Sequence, residues 1–388
     1  MLRPRSFPLA LLLATACGGD ARDEGQSTGL TAPATGAEDP GTSGGPETSD
    51  ESGDAPAGSS GDETGQTSGA ESSTGGDLGD PDYSNIARLQ VPASWATGPG
   101  NTWTYDFTAD LPPDYEIARE FYVEHPDDYD FLVVYTEGEF DEFFAHAVGV
   151  QENISGIRFG EEPMWSQAEA AGSAGRLQQV SLMNSPSLYP DPGAADILIH
   201  ETVHRWSAFL GLQGAPSLLG PAGGHWNIHL STGGPSATGY GELIDTGGGS
   251  FRFDVIYPLQ ISPLELYVAG LIPAAEVPPL FYVANATGYD PAVNPWGETL
   301  GPTSYGEDAT FTGDRVDFTI DDIIASNGPR LPAFGDAPTH FRFAFALVCA
   351  DVTACDENDL AIVEQQRVAF ASQFPAATGQ LASIETEL

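Results

Sequence analysis

The stretch from Asp191 to Gly211 constrains the fold of this chain more than any other. Asp191 offers a side-chain oxygen to cap a helix whose first turn tolerates Pro192, and Gly211 is able to close the far end in a left-handed conformation. The spacing predicts one helix of about five turns. Ile199, Val203, Trp206 and Leu210 recur at intervals of four, three and four, an apolar stripe that must be packed onto a core. His200 and His204 stand one turn apart on a neighbouring face. Their ring nitrogens can share a single ion, while Glu201 reaches round to a water on that ion. The plainer alternative is a helix with two buried, hydrogen-bonded histidines that bind nothing.

The chain ahead of this segment divides by composition. Residues 1 to 17 read as an export signal: Arg3 and Arg5 at the start, an apolar run from Phe7 to Leu13, and small residues before Cys17. The end of that segment, from Leu13 to Cys17, resembles a bacterial lipobox with Ala14 where Leu is commoner, so Cys17 is the expected lipid-bearing residue. Cleavage after Ala16 by an ordinary signal peptidase, or an uncleaved anchor, are the alternatives. The apolar run is too short to span a bilayer stably. Residues 18 to 82 are Gly, Ser, Thr, Pro, Asp and Glu with almost no bulky apolar side chains, a composition that cannot offset chain entropy and reads as a disordered acidic linker. From Tyr83 to Leu388 every Trp appears, and this length suffices for one large core.

The net charge of −43, with Arg as the sole strongly basic residue type, repels nucleic acid and anionic headgroups. Neither is an expected partner, and membrane contact is expected only through lipid on Cys17. Cys349 and Cys355 are the other cysteines, and an exported chain is expected to bridge them.

Alternation and apolar runs predict strands over Thr102–Phe107, Asp130–Thr136, Phe143–Val150, Arg176–Met183, Phe251–Tyr257, Leu280–Val283 and His340–Val348. Helices are expected over Pro113–His125, Pro263–Ala269 with Ser262 as cap and Gly270 as stop, Ile320–Ala325 and Asn358–Phe374. The fold class is therefore α+β.

A catalytic zinc takes three protein ligands and an open position for water. Four of the seven histidines fall between 200 and 229, a clustering that is itself a metal-site signal. A third ligand His at position 210 is excluded, because Leu210 stands there. The choices are His225, held between a Gly-Gly turn and a strand, Glu265 on the Ser262-capped helix, and last His229. His200 and His204 are thus the first two metal ligands and Glu201 the catalytic base, with the third ligand open among these.

The HExxH sequence followed by Arg205-Trp206, then His225-Trp226, then Ser262-Pro263-Leu264-Glu265-Leu266-Tyr267-Val268-Ala269-Gly270 and Glu276-Val277-Pro278-Pro279, resembles a group of secreted bacterial zinc peptidases of the zincin type. The resemblance runs from about position 195 to the C-terminus. Their matching segment reads Ser-Pro-Leu-Asp/Glu and then Tyr-Leu-Met-Gly, so Ala269 departs from the pattern where Met is usual. That either acid occurs at the position of Glu265, while a metal ligand must reach a fixed point, weighs toward His225, so the resemblance implies His200, His204 and His225 as the metal set. The resemblance implies a zincin-like α+β catalytic domain over residues 83–388, with the helix that carries the two histidines packed on a mixed sheet.

These features predict a zinc-dependent endopeptidase acting on protein or peptide, with Zn²⁺ as cofactor. It is expected to be a monomer, exported and lipid-anchored at the bacterial outer membrane or cell surface. Tyr240, or less so His229, is a candidate to stabilise the oxyanion, and Glu265 suits the task of orienting a ligand histidine by accepting its other N–H. The alternative is a non-catalytic surface lipoprotein that binds a partner or glycan. Its mark would be Glu265 closing the fourth position on the metal.

Overall fold

The computed structural model describes residues 82–388, apart from 93–94, 98–101, 107–110, 142, 158–163, 190, 221–223 and 289–307. The export signal, Cys17 and the linker up to residue 81 lie outside the described residues. The main elements in chain order are β1 (Ile86–Gln90), α1 (Asp114–Glu124), β2 (Phe131–Thr136), β3 (His146–Gly149), β4 (Gln179–Leu182), α2 (Asp196–Val203), β5 (Leu230–Ser231), β6 (Gly241–Gly247), β7 (Ser250–Val255), α3 (Pro263–Ala269), β8 (Leu280–Thr287), β9 (Ala309–Phe318), α4 (Ile320–Asn327), β10 (His340–Cys349), α5 (Glu357–Ala377) and β11 (Ser383–Glu385). Of the strand expected over Thr102–Phe107, Thr102–Thr104 forms one and Phe107 lies outside the described residues.

One sheet runs β1-β10-β2-β4-β3, with β11 paired to the start of β10. Strands β1, β10, β2 and β4 are parallel, and β3 lies antiparallel to β4 at the edge. The fold class is α+β with a mixed sheet, as expected. The continuous apolar runs in β2 and β10 follow from burial on both faces. Phe131, Val133 and Tyr135 join Phe343, Phe345 and Leu347 in one core. Leu132 and Val134 join Ala344, Ala346 and Val348 in another.

Helix α1 covers the second face with Tyr115, Ile117 and Phe121. The first is covered by Leu198, Ile199 and Val203 of α2 and Val363, Phe370 and Phe374 of α5. Each such side chain, fully buried, contributes about 1.5–3 kcal/mol. A second, antiparallel sheet in the order β5-β8-β9-β7-β6 has its own small core of Leu243, Phe251, Phe253, Phe281, Val283 and Phe311.

The helix that carries His200 departs from expectation. It spans Asp196–Val203, eight residues, rather than about five turns. Asp191 does not cap it, because its Oδ1 accepts from the Gly193 N–H at 3.0 Å and closes a local turn instead. His204 sits at the C-cap, and Trp206 and Leu210 reach the core from the irregular segment that follows. Cys349 and Cys355 are joined by a disulfide with Cα atoms 5.4 Å apart. Among the described residues no helix is long and apolar enough to cross a membrane.

Candidate metal centre

Helix α2 lies against β4 of the mixed sheet, where Gln179 donates from its side chain to the Glu201 carbonyl at 2.8 Å. Burying Leu198, Ile199 and Val203 in the core fixes the roll of the helix. The end of the helix is pinned by Arg205, fully enclosed, which donates to Gln178 Oε1 at 3.0 Å and Asn153 Oδ1 at 2.7 Å. Its guanidinium also stands 3.7 Å from Glu152, whose carboxyl is pushed up by burial.

His225 arrives from a separate segment. Gly224, with φ +60°, turns the chain into it, and an isolated bridge between Leu219 and Trp226 holds its backbone. The Gly220 N–H donates to the His225 carbonyl at 2.8 Å and the Asn227 N–H to the Leu218 carbonyl at 2.9 Å. Buried Trp226 anchors the same segment in the core.

These elements bring three imidazoles together. His200 Nε2 lies 3.0 Å from His204 Nε2 and 3.1 Å from His225 Nε2, and all three residues are at most 2% exposed. His200 Nδ1 is 2.8 Å from the Ala237 carbonyl. A carbonyl only accepts, so Nδ1 carries the proton and Nε2 presents a lone pair to the other two rings. Burial, with the neighbouring imidazoles adding to it, holds His200 and His204 well below the ordinary histidine range, in the neutral form a metal requires. Nitrogens bound at about 2.0–2.1 Å to a tetrahedral zinc stand about 3.3–3.4 Å apart. The two separations from His200 come within about 0.4 Å of that spacing and all three groups lie within 4.8 Å of one another, so the three residues fit the ion.

The remaining sequence expectations separate clearly. Glu201 is buried beside His200 on the same helix. His229 is not part of the cluster; its ring packs on Phe311 with centroids 4.9 Å apart, and burial pushes its pKa down to about 4. Tyr240 does reach the site. Its ring stacks on His200 at 4.3 Å with an interplanar angle of 20°, from a tight turn in which Tyr240 itself has φ +59°. The Ser236 N–H closes that turn on the Gly241 carbonyl at 2.9 Å.

Glu265 is not among the three converging groups, and it does not accept the imidazole N–H as expected. Fully buried, it accepts at Oε1 from Ser236 Oγ, Thr238 N and Thr238 Oγ1 at 2.8, 2.9 and 2.7 Å. At Oε2 it accepts from Ala237 N at 3.0 Å and Ser262 N at 2.8 Å. Five donors occupy the carboxylate, which leaves it no lone pair for a metal. It serves the loop 236–238, whose Ala237 carbonyl receives His200. Ser262 and Glu265 form a capping box at the start of α3, and Gly270 closes that helix in the left-handed conformation.

Sequence reading missed Ala237, Thr238 and Ser207, whose hydroxyl lies 3.0 Å from Thr238 Oγ1. The glycine-rich run around them gave no sign of where its backbone would sit. The capping-box spacing of Ser262 and Glu265 was the one signal that Glu265 was already engaged. Comparison of the chain with family models, with curated proteins and with solved structures finds no match in any of the three.

Proposed function

We propose that the protein is a zinc-dependent endopeptidase of the zincin type, exported and lipid-anchored through Cys17. The observation that carries the reading is the convergence of His200, His204 and His225 on one point, from a helix that places Glu201 next to the first of them. The three Nε2 atoms would hold the ion. Bound there, zinc would supply Lewis acidity, lowering the pKa of a water toward about 7 and polarising a peptide carbonyl.

The chain's own residues supply the rest. Glu201 takes the proton of the attacking water on its carboxylate and returns it to the leaving amine nitrogen. The Ala237 carbonyl fixes the tautomer of His200, so that its Nε2 is free to bind. Tyr240 holds the face of His200 by stacking. The core around Trp226 and Ile199 keeps bulk water from the ligand side.

The test uses the full chain. Stoichiometric zinc, casein cleavage abolished by chelator, and a Glu201→Gln form that keeps zinc but loses turnover are the expected results. Stoichiometric zinc without hydrolysis of any protein would instead favour a surface lipoprotein that binds a partner or glycan.

A further inference from the structure

We propose that Glu265 acts on the metal centre through the peptide group joining Ala237 and Thr238, as a positioning residue that also polarises His200. This rests on the metallopeptidase reading above. The carbonyl end of that one peptide accepts His200 Nδ1–H at 2.8 Å, and its N–H end donates to Glu265 Oε1 at 2.9 Å. The two bonds share a single peptide group, so a negative charge at one end makes the carbonyl at the other a stronger acceptor. A stronger acceptor at Nδ1 makes Nε2 a better metal ligand. The usual outer contact of a ligand histidine is a carboxylate, carbonyl or water bound directly to the ring. Here a carbonyl makes the direct contact and a carboxylate stands behind it, in line through the backbone.

The surroundings make this coupling rigid. Glu265 is fully buried, and its remaining bonds to Ser236, Ala237, Thr238 Oγ1 and Ser262 hold it against the loop. Ser207, three residues past His204, meets Thr238 through their hydroxyls at 3.0 Å and ties the loop to the segment that follows the ligand helix. Its low-dielectric setting keeps the charge from being screened. Glu265→Gln would retain the shape and lose the charge. Its amide would also point N–H groups at donors.

The experiment measures zinc affinity by chelator competition and, in the metal-free full chain, the ¹H shift of the His200 Nδ1–H proton. Glu265→Gln is expected to weaken zinc about 10–100-fold and move that proton upfield. Ser236→Ala loses a buried bond to the same carboxylate but leaves the peptide chain intact. It is expected to weaken zinc less and leave the proton in place, which a merely structural role for Glu265 would not distinguish. Zinc held equally by wild type and Glu265→Gln, with the proton unmoved, overturns the relay alone. Wild type that takes up no zinc yet keeps the downfield proton sinks the metallopeptidase reading and leaves the relay standing. Should Glu265→Gln fail to fold, wild type decides: the relay requires the His200 proton downfield of the ring protons of His204 and His225, and a shift among theirs overturns it.

Discussion

Gln373 Oε1 accepts the N–H of Ala195 at 2.8 Å, and its amide donates to the Gly193 carbonyl at 2.5 Å. Gln366, two turns earlier on α5, donates to the Ala194 carbonyl at 3.1 Å. The closing helix of the chain thereby satisfies the start of α2, which has no side-chain cap of its own. Replacing Gln373 with Ala is expected to cost about 1 kcal/mol, lowering the melting temperature by a few degrees. A melting temperature equal to that of wild type would show that water caps the helix just as well.

That capping relationship marks the boundary of what the sequence makes legible. The strands of the mixed sheet were readable because Phe131–Thr136 and His340–Cys349 carry their burial in continuous apolar runs, and α3 because Ser262 and Gly270 punctuate it. Likewise His200 and His204 stood out by type and spacing, and His225 by the clustering of histidines together with the resemblance that weighed it above Glu265. The length of α2 was not readable, because Asp191 prefers its own turn and the replacement cap lies in α5. Nor were the outer contacts: whether Glu265 meets metal, imidazole or backbone is decided by where residues 236–238 fold, and local propensity is silent about a loop of that kind. Strands β1, β6, β9 and β11 were missed as well; they mix polar and apolar residues, as in Arg88 and Gln90 of β1, and take their place from pairing partners.

The proposed zinc should stabilise the folded chain by mass action, since the three histidines converge only when folded. At one hundred times its dissociation constant the ion adds about 2.7 kcal/mol. His225→Ala is expected to abolish the zinc-dependent rise in melting temperature, and His229→Ala to keep it. Differential scanning fluorimetry with and without chelator checks both, and the reverse pattern would reassign the third ligand.

His229 predicts an acid sensitivity. Burial holds its folded pKa at about 4, below the ordinary value of 6.5 for an unfolded chain, so the unfolded state binds the proton more readily. The folded state is therefore penalised progressively as pH falls from 6.5 to about 4, by an amount on the order of 3 kcal/mol. His229→Leu keeps an apolar contact to Phe311 and removes the titration. Chemical unfolding across that range, in the presence of chelator, should give a shallower loss of stability for the variant; parallel curves would sink the assignment.

Arg330 and Gly270 predict how firmly α3 must be held for Glu265 to work. Arg330 is buried and donates to the Val268 carbonyl at 3.1 Å, the Ala269 carbonyl at 2.8 Å and the Pro332 carbonyl, which occupies the last-turn acceptors of the helix. Burial lowers its pKa to about 10, so it remains charged at neutral pH and these bonds are charge-assisted. Arg330→Met strands those carbonyls out of water and is expected to cost about 3 kcal/mol. Gly270 has φ +82°, and a Cβ there would lie 2.6 Å from both Arg330 Cζ and Ala337 Cβ. Gly270→Ala therefore combines a left-handed backbone with a clash against the same guanidinium, for a loss of about 2 kcal/mol or more. Both changes disturb one anchor, so the double variant should lose less than the sum of the singles in thermal unfolding. Full additivity would mean that Arg330 and the left-handed turn hold α3 independently.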